Sequence, residues 1–204
     1  MNLRRLRLVV FAGLVAATAA LAVTFASGAA GGDNQSVRWD IVSINFAAGT
    51  VSAGGVASAR AADGSKITLT GNGTFAKGED NDVTGGGTWT TFNSGGTATG
   101  SGTYRVTGLV SFIRAPGTSP PLTDLIGNPA DRSAGLVILR IRYSDGSKGV
   151  LIVSCHLVAT PDSVFEGITA TKGFVDYFNA EAPPAPPGDA NRTLFHVSTG
   201  DGDD

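Results

Sequence analysis

Two stretches decide the fold: Arg60-Ala61-Ala62-Asp63-Gly64-Ser65-Lys66 and Arg142-Tyr143-Ser144-Asp145-Gly146-Ser147-Lys148. Both follow the pattern R-x-x-D-G-S-K between strand-like runs, where Asp-Gly marks a β-hairpin. A two-residue Asp-Gly loop would set Ile67 and Leu69 opposite Arg60 and Ser58, mixing apolar and polar side chains on one face. A three-residue loop, with its glycine in the left-handed conformation, instead pairs Ala59 with Ile67, Ala57 with Leu69 and Val51 with Phe75. The same loop at residues 144–146 pairs Leu139 with Leu151 and Val137 with Val153. Each hairpin then has one apolar and one polar face, so the spacing predicts three-residue loops closed by a glycine bulge.

Outward from these hairpins, the alternation predicts strands near Val83–Phe92 and Thr97–Phe112, joined at Asn93-Ser94-Gly95-Gly96. One face of this pair is rich in glycine (Gly85, Gly87, Gly100, Gly102) and also carries Trp89, Tyr104 and Val106. The other carries Thr84, Thr88, Thr90, Thr97, Thr99, Thr103 and Thr107. Glycine weakens a strand, so a glycine face implies a geometric demand, and the curvature of a small closed barrel supplies one. A first strand near Val37–Phe46 and a final one near Gly167–Phe178 bring the count to about eight. With no amphipathic segment of helix length, the fold expected is all-β: an antiparallel up-and-down barrel, with a β-sandwich as the alternative.

The ends of the chain read differently. Arg4, Arg5 and Arg7 precede an uncharged apolar run, Leu8–Phe25, followed by small residues from Ala26 to Ala30, the pattern of a secretory signal peptide over residues 1–30. An uncleaved membrane anchor is the alternative, but the alanine-rich run is weakly apolar for one. Residues 31–180 are expected to form one barrel domain, and residues 181–204 a Pro-rich linker (Ala182–Gly188) with an acidic tail. The patch Thr193–Val197 is a candidate to dock on the barrel. Residues Arg114–Arg132 hold four prolines and form an unusually long loop, either a surface connection or a lid over the barrel mouth. The formal net charge of −2 becomes −5 without the three leading arginines. This balance argues against nucleic acid, and against stable membrane association after signal cleavage. The single cysteine, Cys155, cannot form an internal disulfide, so the domain must rely on packing. The sequence does not fix an oligomeric state.

Candidate chemistry is sparse. Cys155 and His156 are a thiol and an imidazole, but neighbours on a strand point to opposite faces, which separates them; a pairing of Cys155 with the distant His196 stays open. Asp162 and Glu166 lie four apart after Thr160-Pro161, where a short helical turn would put both on one face as an acid–base pair or a solvated cap. Asp80-Asn81-Asp82-Val83-Thr84-Gly85 resembles the opening of a calcium loop, but Thr91 stands where a bidentate glutamate is required, so no metal is expected. No cofactor is implied. Trp89, Tyr104 and Phe75 are the side chains that would line an open barrel interior. The threonine face could meet a polysaccharide or ice, or serve as an ordinary solvated surface, which Arg38, Arg105, Arg140 and Arg142 would share. Asn34, Asn72 and Asn191 each open an N-x-S/T triplet.

The stretch Gly149–Tyr177 resembles a group of secreted bacterial proteins of unknown function, and arginine outnumbering lysine fits a GC-rich bacterial genome. The expected barrel is similar in outline to calycin, dirigent and allene oxide cyclase barrels, without their motifs. The reading that follows is a secreted, non-catalytic binding module whose glycine-widened interior takes a small apolar molecule. A secreted enzyme of isomerase or hydrolase type, acting at the barrel mouth, and a structural cell-surface protein are the alternatives.

Overall fold

A computed structural model describes residues 35–76 and 82–199. The export segment, the first residues of the calcium-like loop and the acidic residues 201–204 lie outside them. In chain order the strands are β1 (Gln35–Asn45), β2 (Thr50–Ala53), β3 (Ala57–Arg60), β4 (Lys66–Leu69), β5 (Asn72–Ala76), β6 (Gly86–Phe92) and β7 (Ala98–Ala115). There follow β8 (Thr123–Asp124), a 3-10 turn (Pro129–Asp131), β9 (Arg132–Tyr143), β10 (Lys148–Cys155), β11 (Gly167–Lys172), β12 (Val175–Tyr177), β13 (Asn179–Ala180) and β14 (Arg192–Thr199).

The expected antiparallel barrel is present. Its closed ring has six strands, β1–β5–β6–β7–β9–β14 and back to β1, each antiparallel to its neighbours. Chain order and ring order coincide, as in an up-and-down barrel. The remaining strands are outer elaborations: β3 and β4 extend from β6, β10 to β12 extend from β9, and the short β8 runs parallel to β2.

Both hairpin readings hold. Ala57 pairs with Leu69 and Ala59 with Ile67, and Leu139 pairs with Leu151 and Val137 with Val153. Ala61 and Tyr143 close three-residue loops by donating to the carbonyls of Ser65 and Ser147. Gly64 (φ 81°) and Gly146 (φ 89°) occupy the left-handed position that an L side chain resists. The Asp63 and Asp145 carboxylates each accept the amide two residues on, a local bond that fixes the turn.

Three expectations need correction. Val51 pairs with Ile44, and Phe75 with Val37. The run read as one strand breaks at Gly54-Gly55, where a Cβ on Gly55 would lie 1.9 Å from the Val42 carbonyl oxygen. The span Gly167–Phe178 is a hairpin reversing at Gly173. The barrel also runs past residue 180: the patch Thr193–Val197 is not docked on the barrel but is strand within it, hydrogen-bonded to β1 and β9.

The interior is filled rather than open. Val37, Trp39, Ile41, Phe75, Leu139, Ile141, Tyr143 and Phe195 are fully buried or nearly so. Phe112 packs its ring 5.3 Å from both Phe75 and Phe195, and Tyr143 lies edge-on to Trp89. A ring of six strands is narrower than the eight that just accommodate packed side chains or one small ligand. The glycines serve the tryptophans. A Cβ on Gly73 would lie 2.8 Å from Trp39 Nε1, and Cβ atoms on Gly100 and Gly102 would press within 3.3 Å and 3.0 Å of the Trp89 indole. The glycine face admits two indoles instead of widening a cavity.

Candidate functional site

The residues named as ligand candidates are core. Trp89 donates through Nε1 to the Thr103 carbonyl, Tyr104 donates its hydroxyl to the Thr70 carbonyl, and Phe75 packs on Phe112. Burial pushes the Tyr104 phenol far above its ordinary range. Cys155 faces the core with Leu151 and Val153; burial first, then the nearby Glu166 charge, raises its thiol well above the usual value, which disfavours the reactive thiolate. No hydrogen bond joins Cys155 to His196 among the described residues.

A concave surface with apolar walls and converging polar groups lies outside the ring. It is a groove of about 140 Å³ between β1, β2, β14 and the long loop. Val42, Ile44, Val51, Leu122, Leu157 and Leu194 supply its apolar wall, and Glu166, His156, Arg132 and Arg192 its polar groups. The walls come from four separate parts of the chain, which is why sequence reading missed the groove.

Glu166 is placed by a split in the sheet. β14 and β10 both pair with the same edge of β9, β14 at Arg132 and Ser133 and β10 from Gly135 onward. Where they diverge, the backbone amides of His156 and Thr193 lack ladder partners, and Glu166 supplies them. Its Oε2 accepts from His156 N at 2.5 Å and its Oε1 from Thr193 N at 2.6 Å. Burial raises the Glu166 carboxyl to about 7, against the pull of those bonds and the Arg192 charge. His156 Nδ1 lies 2.7 Å from the Val164 carbonyl. A carbonyl only accepts, so Nδ1 is the donor in this bond. Arg192 Nε is buried with no hydrogen-bond partner.

Asp162 does not join this set. Residues 161–165 form turns, not a helix; Asp162 is exposed, while Glu166 is drawn inward. Thr160 caps locally, accepting from Leu157 N and donating to the Pro116 carbonyl.

His196 belongs to a second cluster beside the groove. Its Nε2 lies 2.9 Å from Asp124 Oδ2, which also accepts from Arg132 Nε at 2.5 Å. Asp124 Oδ1 accepts the amides of Ile126 and Gly127. Burial pushes this carboxyl up, but the bonds from Arg132, His196 and the two amides together outweigh it and hold the group at about 2. Arg132 also donates to Ser119 Oγ and to the carbonyls of Pro120 and Leu122. The long loop is therefore wrapped around one guanidinium and held as a groove wall. Asp124 and Arg132 were not singled out from sequence; the Asp124-to-Gly127 turn was the available local signal.

Comparison with protein-family models, curated proteins and solved structures finds no match to this chain.

Proposed function

We propose that the chain is an exported, non-catalytic binding module for a small apolar molecule, seated in the surface groove and not inside the barrel. The observation that carries this reading is the groove itself: apolar walls around a few buried polar groups, in a fold whose interior is full. Its volume of about 140 Å³ matches a ligand of benzene size. Arg192 and His156, which line the groove, are the polar side chains that would orient such a ligand. Thermal melting with toluene or indole as probe tests the idea. A rise in Tm is expected for the wild type and should be lost in Val158→Asp, which places a charge on the rim. If no probe raises Tm, the binding reading fails. Export rests on Arg4, Arg5 and Arg7 ahead of the uncharged run Leu8–Phe25. Protein recovered from the medium of a bacterial host is expected to begin between residues 27 and 31; a chain retained with its first residue would refute it.

One observation favours a second reading, a proton-transfer enzyme of isomerase type. Glu166, held at about 7, and the His156 imidazole share an apolar groove, and a carboxyl poised near neutrality can both give and take a proton. Turnover of a bound probe that disappears in Glu166→Gln while the Tm rise persists would select this reading over plain binding.

A further inference from the structure

A second surface lies on the opposite run of β9, away from the groove. On the outer face of three adjacent strands, Arg105 of β7 pairs across to Arg142 of β9, which pairs across to Lys148 of β10. Arg140 stands two residues along from Arg142 on the same face, opposite Gly108, over which its guanidinium lies. All four side chains belong to exposed residues, and none forms a salt bridge among the described residues. Like charges placed directly opposite on neighbouring strands destabilise a sheet. Asp176 stands beyond Thr171 in the row of Arg140, and Asp145, in the hairpin between Arg142 and Lys148, is paired with Lys172. The formal charge of the chain is negative, so basic composition does not account for four clustered cations.

We propose that this face binds a linear anionic polysaccharide, carrying a carboxylate, phosphate or sulfate on successive sugar units. The row Arg105–Arg142–Lys148 sets one cation per strand, about 4.8 Å apart, a spacing suited to regularly placed anions on a flexible chain. Next to it the outer face continues into hydroxyls: Thr103 pairs across to Thr88, and Thr88 and Thr70 share a hydrogen bond of 2.8 Å. Ser101 pairs across to Thr90, and Thr90 to Thr68, whose hydroxyl meets Ser58 Oγ. Such rows suit the hydroxyl groups of a sugar polymer. Tyr104 and Tyr143 beside Arg105 and Arg142 are buried and Phe174 stands exposed only at the Gly173 edge, so the trough lacks the row of stacking platforms that single-stranded nucleic acid uses. Four cations on a negatively charged protein are also few for duplex DNA, whose charge density draws on many more contacts.

The test measures binding of the full chain to polygalacturonate at low ionic strength, with neutral dextran and a DNA duplex as separate arms. Binding is expected to polygalacturonate alone, to weaken as salt rises, and to fall about fivefold for Arg142→Ser. Arg105→Ser with Arg142→Ser should abolish it, and Arg140→Ser should weaken it independently; Tm, measured alongside, should not drop for the Arg105 and Arg142 variants, whose side chains are exposed and unpaired among the described residues. Equal binding of dextran, tighter binding of the duplex, no binding of polygalacturonate, or a folded double variant that binds like the wild type would each overturn the assignment. None of these substitutions touches the groove, so the outcome is separable from that of the small-ligand reading.

Discussion

Arg132 and Arg142 are the same residue type on the same face of the same strand, roughly 33 Å apart along β9 at the strand rise of about 3.3 Å per residue. One is dry and held by four bonds: its side chain is 3 % exposed, and it donates to Asp124, Ser119 and two carbonyls. The other is wet and faces another arginine. The difference teaches that burial, not residue type, sets the role of a charge. A guanidinium removed from water must have every donor met, which makes it a structural hub; one left in water can keep its charge unspent for a partner.

The largest break in this comparison is Asp124→Ala. It strands Arg132 in the dry cluster, unties the Ile126 and Gly127 amides, and is expected to cost about 3 to 5 kcal/mol in urea unfolding. A cost below that of an ordinary surface substitution would show the cluster to be wet. Next is the pH dependence set by Glu166. Its carboxyl is raised from the ordinary value to about 7 in the folded chain, so its contribution is complete below about 4.5 and is lost as pH rises through 7. Wild-type stability should fall by about 3 kcal/mol across that window relative to Glu166→Gln, which cannot titrate. Parallel curves for the two proteins would refute the buried carboxyl. Asp124 works in the opposite sense. Held at about 2, it contributes above about 4, and about 2 kcal/mol should disappear as pH falls from 4 to 2. The smallest effect is at the wet end: Arg142→Thr should raise stability by less than about 1 kcal/mol at low salt and by nothing in 1 M salt, since screening removes the repulsion with Arg105. A loss of stability there would mean that Arg142 has a partner after all.

The hairpins were legible because their information is local. Asp63-Gly64 and Asp145-Gly146 specify loop geometry within five residues, and the alternation of flanking side chains then fixes the register. The barrel was legible through the same alternation, although the count of eight merged ring strands with outer ones. Val51 was misplaced because Gly54-Gly55 reads equally as a pause in a strand or as a break; the decision comes from Val42, which meets Gly55 from well upstream in the chain. The glycine face signalled a geometric demand correctly, but the indoles that make the demand sit on other strands or on the opposite residue of a pair. Glu166 was named for a helical turn that does not form. Its true setting, the fork between β10 and β14, depends on how far β14 climbs along β9, and no local pattern encodes that. The side chain of Asn191, which opens one of the N-x-S/T triplets, is buried and accepts from Ser58 N at 2.8 Å.

The ring closes through β14, whose partner β1 lies far upstream: Gln35 meets Thr199. Until that last strand is made, β1 has one edge paired at most and Trp39 lacks its neighbour Phe195. At synthesis rates of 5–20 residues per second, the first strand waits roughly 10 to 30 s for its partner. Closure joins the two ends of the domain in one late step, so the nascent chain stays open for as long as it is incomplete. The barrel locks only when its last strand is in place.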